Sequence, residues 1–315
     1  MALPTATPDP IPELDAALLA RSADALVAGV DRASSQYSLA GAAHYLERGL
    51  LVFPRDPRLY VRLLEILLRW RDYDRFDEVA ADAVARFPER ADLHTLIGQS
   101  RAEREETCAA IRAYGRAARL DPDDVESIQR VARLFRQRSR PFHARRFVRL
   151  HLERHPDVAA LHATIGFCYI DDEQYGKAVA AFKAAVDLEP DDSPYIDDWG
   201  GALVLAERWR EAAAVAVRSL KGRPGRERAW TVFAVAHRHL GNAESAEKGY
   251  RKAVETSRAP SRAQGNLGLY LASRTDRADL RAEAREHLHA ALLEHPDWTE
   301  VERAYESTKG SPERR

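Results

Sequence analysis

Cysteine is almost missing from this sequence. Cys108 and Cys168 are the only two among 315 residues, with no CxxC pair and no metal-holding spacing, and two lone thiols suit a reducing compartment. Glycine and proline number only 16 each, while apolar residues reach 45%. Such a chain is too hydrophobic for disorder, and its wealth of Ala, Leu, Arg and Glu speaks against a β-sandwich. Neither sign of charge dominates: the formal net charge is −1, so no global field gathers nucleic acid or an anionic membrane. Lysine is scarce as well, six of the 48 basic residues, a bias that a GC-rich genome produces. No stretch approaches the roughly 18 uninterrupted apolar residues of a membrane span. The opening MALPTATPDPIP lacks the basic start and apolar run of a secretory signal. A soluble, cytoplasmic protein is expected, with a flexible Pro-rich leader over residues 1–11.

What is present is a period. Pro54, Pro88, Pro122, Pro156, Pro190 and Pro224 stand 34 residues apart, with Pro260 and Pro296 following at 36. Twelve residues before the proline the side chain is small at Ala42, Ala110, Ala144, Ala178 and Ala212, with Phe76 the exception. Five before it stand Gly49, Ala83, Ala117, Ala185 and Ser219, with His151 breaking the rule. Twenty-four before it come Gly98, Gly166 and Gly200, with Ala132 in the same place, each preceded by a large apolar residue. Glycine inside a helix costs about 1 kcal/mol relative to alanine. A recurrent glycine therefore predicts a close helix–helix contact, and the alanine column is expected to face it from the second helix. Proline cannot continue that helix and sets the turn into the next unit.

These columns resemble the tetratricopeptide repeat family over nearly the whole chain. The fullest copy runs from Ala159 to Asp192, matching at Ile165, Gly166, Tyr169, Ala178, Phe182, Ala185 and Pro190, with His162 in place of the usual Trp. The copy from Ala91 matches at Gly98, Ala110, Tyr114, Ala117 and Pro122, and the copy from Glu227 at Trp230, Ala246, Tyr250 and Ala253. The eighth matches at Leu267, Gly268, Ala284, Ala291 and Pro296 once about four extra residues are placed in the turn Ser273–Leu280. The first two depart from the pattern at Val30, Leu64 and Phe76, which predicts more open packing there and a capping role for the first. The resemblance implies an all-α, right-handed α-solenoid of about eight repeats, over about 12–56, 57–90, 91–124, 125–158, 159–192, 193–226, 227–260 and 261–296. Pro12 is expected to open a helix. A capping helix is expected over 297–308, started by Asp297 as N-cap with Glu300, and presenting Trp298, Val301 and Tyr305 as one stripe; 309–315 reads as a loose tail.

A stack of such repeats offers an extended concave surface lined by the first helices. Carried over by position, the resemblance puts Arg58, Arg62 and Arg69 of the second repeat in that groove. It adds Gln99 of the third, and Gln129, Arg130, Arg133, Arg136 and Gln137 of the fourth. Arg130, Arg133 and Arg136 recur every three residues, and clustered guanidinium groups suit bidentate capture of carboxylates. The expected partner is therefore another protein, bound through a peptide or helix segment that is acidic over repeats two to four. The five-residue clamp with which some chaperone-binding members hold a C-terminal carboxylate is not matched, since Val61, Glu65 and Leu96 stand in its first three places.

Signals for chemistry are weak. His151 with His155, His237 with His239, and His287 with His289 form pairs, yet a zinc site needs further ligands that the neighbourhood does not supply. There is no phosphate-cradling glycine loop, no GxSxG and no HExxH. The expectation is an adaptor or scaffold with no catalytic residues, metal or cofactor, and no nucleic-acid or membrane partner. Self-assembly into a homo-oligomer through the groove is the alternative, and an RNA binder or enzyme comes last.

Overall fold

A computed structural model describes residues 12–19, 22–36, 39–190, 194–274 and 277–309. Among them there is no strand. The described residues form eighteen α-helices and one 3-10 turn, arranged as eight consecutive helix pairs with one extra helix at each end. The first, α1 (Pro12–Leu19), begins at the expected proline. The pairs are α2 (Ala23–Gln36) with α3 (Leu39–Val52), α4 (Pro57–Trp70) with α5 (Tyr73–Arg86), α6 (Ala91–Glu103) with α7 (Thr107–Leu120), and α8 (Val125–Gln137) with α9 (Pro141–Leu152). They continue as α10 (Ala159–Asp171) with α11 (Tyr175–Leu188), α12 (Ile196–Leu205) with α13 (Trp209–Gly222), α14 (Glu227–His239) with α15 (Ala243–Thr256), and α16 (Ser261–Ser273) with α17 (Arg281–Glu294). The short turn Ala278–Leu280 lies in the expected insertion, and α18 (Thr299–Thr308) closes the series. This is the all-α solenoid order that the period predicts. The expected leader, and all of the tail except Lys309, lie outside the described residues.

The chain divides into two compact units, residues 1–147 and 148–315, with the boundary inside α9. In unit 1, helices α1 to α8 pack consecutively, and the first helices of neighbouring pairs also touch, α2 with α4 and α4 with α6. Its main core gathers Leu26, Leu46, Leu63, Leu64, Phe76 and Leu93. In unit 2, α10 to α18 pack in the same consecutive way around Phe182, Leu203, Tyr250, Leu271 and Leu288.

Four expectations need correction. Repeats one and two are not more open: Leu64 is fully buried and Phe76 is 1% exposed, both in the unit 1 core. In the second pair size is exchanged, because Ala80 stands where later pairs put Tyr114, Phe182 and Tyr250. The stretch 12–56 holds three helices, α1 being seated by Leu14, whose Cδ2 would lie 2.5 Å from a Cβ built on Gly29. The glycine column does not meet the alanine column. A Cβ on Gly98 would stand 2.7 Å from the Tyr114 ring and one on Gly166 2.9 Å from the Phe182 ring, side chains four residues beyond Ala110 and Ala178. At one residue per 100° of helix turn, four positions on is the same face one turn up, so the hole left by glycine receives a ring. Finally, Asp297 does not cap α18; Trp298 occupies the N-cap with no side-chain bond. The indole, rather than a carboxylate, fixes this start, since it lies where a Cβ on Gly265 would be, 2.5 Å away.

The turn inside six of the pairs repeats with the same period. Arg71, Glu105, Ser139, Glu173, Glu207 and Gly241 all have φ between 52° and 78° and stand 34 residues apart. In each turn the following amide reaches back five residues, as Asp72 N–H to Leu67 C=O and Gln174 N–H to Tyr169 C=O do, closing the Schellman arrangement. Only Gly241 is suited to left-handed backbone, and a Cβ there would meet nothing within 4 Å. Gly241→Ala is therefore a pure backbone test. The left-handed penalty of about 1–2 kcal/mol, partly offset by the stiffer unfolded chain, is expected to lower stability by about 1 kcal/mol in urea unfolding. Glu105→Gly is expected to move the midpoint the other way.

The entry to each pair repeats too. Trp230 Nε1–H donates to Pro224 C=O at 2.8 Å. His162 Nε2 lies 2.7 Å from Pro156 C=O and His94 Nε2 3.1 Å from Pro88 C=O. The histidines in the tryptophan's place are thus packing residues that keep its hydrogen bond, with Nε2 as the protonated nitrogen.

Candidate functional site

Helix α8 shows how the sequence separates core from surface. Ser127, Ile128, Val131, Ala132 and Leu134 are buried, a stripe at i, i+3/4 and i+7 that turns Gln129, Arg130, Arg133, Arg136 and Gln137 away from the core. Asp124 caps the helix by accepting from Ser127 N–H at 3.0 Å and also accepts from Thr95 Oγ1 at 3.2 Å, tying α6 to α8. The same logic sets α4, where Asp56 is the N-cap and Pro57 the first helical residue.

Three predicted residues come together. Arg62 and Arg69 of α4 and Gln99 of α6 line a cleft of about 330 Å³ with Glu65, Ile66, Leu68, Leu96 and Val30 of α2. It has an apolar wall and a polar mouth built from three successive first helices of unit 1. Arg58 is not among its lining residues. Its guanidinium is held by Asp56 at 2.7 Å and Asp24 at 2.6 Å, and the bond from Arg58 keeps the Asp56 carboxyl below its ordinary range. The α8 residues stand on a neighbouring helix outside the lining set.

The guanidinium groups differ in what they already hold. Arg62 pairs with Glu65 at 2.7 Å, and Gln99 Nε2 donates to Glu103 at 3.2 Å. Arg130 donates twice to Glu126 Oε1, at 3.0 and 2.6 Å, and lies over the Tyr114 ring at 5.8 Å from its centroid. Gln129 and Arg136 have contacts within the chain. Arg69 and Arg133 are exposed and show no ion-pair partner among the described residues. The charges most available to another molecule are these two, a distinction that spacing alone does not reveal.

Two features escaped the sequence reading. Tyr114, on the second helix of its pair, is 1% exposed and its hydroxyl has no hydrogen-bond partner. Burial pushes its phenol pKa up, against the pull of Arg130 and Arg133 on α8. In unit 2 the matching register is mixed: Phe167, Ile170, Val204, Val235 and Leu269 are partly buried hydrophobics on the first helices, while Asp198, Arg228, Arg238 and Arg262 stand among them. The cluster of three arginines on one first helix, Arg130, Arg133 and Arg136, belongs to α8 of unit 1.

The described residues contain no group of three His, Cys, Asp or Glu placed to hold a metal. His151 is buried, and burial with Arg154 and His155 nearby holds its pKa below the ordinary value. Among the described residues no helix is long and apolar enough to cross a membrane.

Residues 159–192 match the family model described as tetratricopeptide repeat. A search of curated proteins by sequence finds no match. Among solved structures, the chain is similar to one titled as the APC/C hetero-tetramer Cut9–Hcn1, with 14% identity and a TM-score of 0.57 over 91% of this chain and 56% of that one. It is also similar to yeast Tom70, with 14% identity and a TM-score of 0.53 over 84% of this chain and 59% of that one. The chain thus spans less than two thirds of the length of either, and at this identity the likeness is one of fold.

Proposed function

We propose that the chain is a tetratricopeptide-repeat protein and an adaptor holding an acidic segment of a partner protein against the first helices of unit 1, α2 to α8. A protein-interaction scaffold is the general use that the fold supports, and Cut9 is itself seen in a hetero-tetramer with Hcn1. The observation that carries the finer reading is the cleft of Arg62, Arg69 and Gln99, whose neighbourhood leaves Arg69 and Arg133 without internal carboxylates. An exposed arginine gains little from solvent but pairs bidentately with a carboxylate brought to it. The apolar wall formed by Val30, Ile66 and Leu96 gives such a segment a second, uncharged foothold.

The test is Arg69→Glu with Arg133→Glu. Neither side chain has an ion-pair partner to lose among the described residues, so the fold is expected to keep its urea midpoint. Capture of the partner from an extract of the native host is expected to fall by at least about tenfold, because reversal turns two attractive contacts into repulsive ones. It should also weaken steeply as salt rises in the wild type. Undiminished capture by the double variant would end the acidic-segment reading. Light scattering that grows with protein concentration would favour self-assembly through the same face.

A further inference from the structure

The phenol of Tyr114 is a buried donor with nothing to donate to, and an unmade hydrogen bond of this kind is costly unless something supplies the acceptor. Its ring fills the hole above Gly98, and the Arg130 guanidinium lies over the ring at 5.8 Å from its centroid. The groups that act on the phenol oxygen are Arg130, Arg133 and Glu126, all from α8. A second-helix side chain thus reaches through the glycine gap to the arginines of the next first helix.

Arg130 is already engaged, in an arrangement that leaves room for exchange. Both of its bonds go to one oxygen of Glu126, and that glutamate side chain is 65% exposed against 31% for the arginine. A guanidinium offers five N–H donors, so an exposed carboxylate on two of them is a replaceable occupant. Glu126 regains water when it leaves, and an exposed pair of this kind is weak.

We propose that Tyr114, Arg130 and Arg133 form a carboxylate subsite in which Glu126 is the resident occupant and an acidic side chain of the partner segment is the exchanging one. The inference rests on the acidic-segment reading above and adds the residues that read the charge. As Arg130 follows the incoming carboxylate off the ring, the Tyr114 O–H gains the acceptor it lacks and donates to it. Arg133 supplies the second cation, and Glu126 turns to solvent.

The experiment titrates the full chain into fluorescently labelled decaglutamate, with decaglutamine as the uncharged control, and reads anisotropy at low salt. Glu126→Gln removes the competitor and is expected to tighten decaglutamate binding by about threefold to fivefold, the scale of one exposed ion pair, while Glu207→Gln, the same charge change in unit 2, leaves it unaltered. Tyr114→Phe is expected to weaken binding by about threefold to fivefold, the scale of one hydrogen bond. Because the O–H donates to nothing in the free protein, Tyr114→Phe keeps or raises the urea midpoint; a fall would mean that the hydroxyl serves the fold, and would overturn the subsite. Glu126→Gln and Tyr114→Phe binding like the wild type, while Arg130→Glu with Arg133→Glu loses the peptide, would overturn the subsite and leave the acidic-segment reading standing. Decaglutamate binding no better than decaglutamine to the wild type would bring down both.

Discussion

Replacing Gly98 or Gly166 by alanine is expected to lower the unfolding free energy by about 2 kcal/mol, whereas Gly200→Ala leaves it unchanged or raises it by up to about 1 kcal/mol. The three glycines occupy one column of the repeat, so their sequence context predicts one outcome. The structure separates them by what each would strike. At Gly98 three carbons of the Tyr114 ring lie between 2.7 and 2.9 Å from an added Cβ, and at Gly166 three of Phe182 lie between 2.9 and 3.1 Å. Both rings are buried, at 1% and 0% exposure, and a wedged ring has no free end to swing aside. Overpacking of this kind costs about 3 kcal/mol, against which alanine returns about 1 kcal/mol of helix propensity. At Gly200 the residue four beyond Ala212 is Ala216, not a ring. The nearest atom is a Val232 methyl at 3.2 Å, so the propensity gain dominates.

The check is chemical denaturation of each single variant, with Gly98→Ala/Tyr114→Ala closing a double-mutant cycle. The clash vanishes once the ring is gone, so the double variant is expected to lose less than the sum of the two single losses. Additive losses would show that the glycine is there for another reason.

The columns reveal the fold because each depends on a side-chain type with few substitutes: proline for the break between pairs, glycine or alanine for the close approach. What they leave hidden is set by the backbone or by charge pairing. The left-handed turn residue recurs through six pairs, but it is Arg71, Glu105, Ser139, Glu173 and Glu207 before it is Gly241. The closing bonds run between backbone groups, so the turn tolerates almost any side chain and leaves no mark in the sequence. The glycine column is visible in the sequence but its partner is not, because alanine is the more conspicuous repeat and the side chain that fills the glycine's hole varies from Tyr114 to Phe182 to Leu288.

The arginines of the candidate site were legible as positions and illegible as chemistry. Arg58 and Arg69 carry equal weight in a sequence, but Asp56 and Asp24 hold the first, and no described carboxylate holds the second. Asp24 is 34 residues from Arg58, a whole repeat away, and only stacking brings the two together.

Trp298→Ala is expected to cost about 3 kcal/mol, at the low end of large-to-alanine losses because the indole is only partly buried. The side chain stands just before α18 and its ring packs where Gly265 lacks a Cβ, with Ala291 beside it at 3.3 Å from that same point. It is thus the pin that lays α18 across α16 and α17. Removing it opens a hole against Gly265 and frees a ten-residue helix that is too short to hold itself together in water. Val301, fully buried in this arrangement, would then be exposed along with the faces of Leu288 and Ala291 that it covers. An apolar side of a repeat pair needs cover, and α18 supplies it for the pair α16 and α17. Hydrogen exchange across 299–308 is expected to become fast in the variant, with a smaller loss of protection over 281–294. Retained protection over 299–308 would mean that α18 is held by Val301 alone and that the tryptophan is decoration on an already closed end.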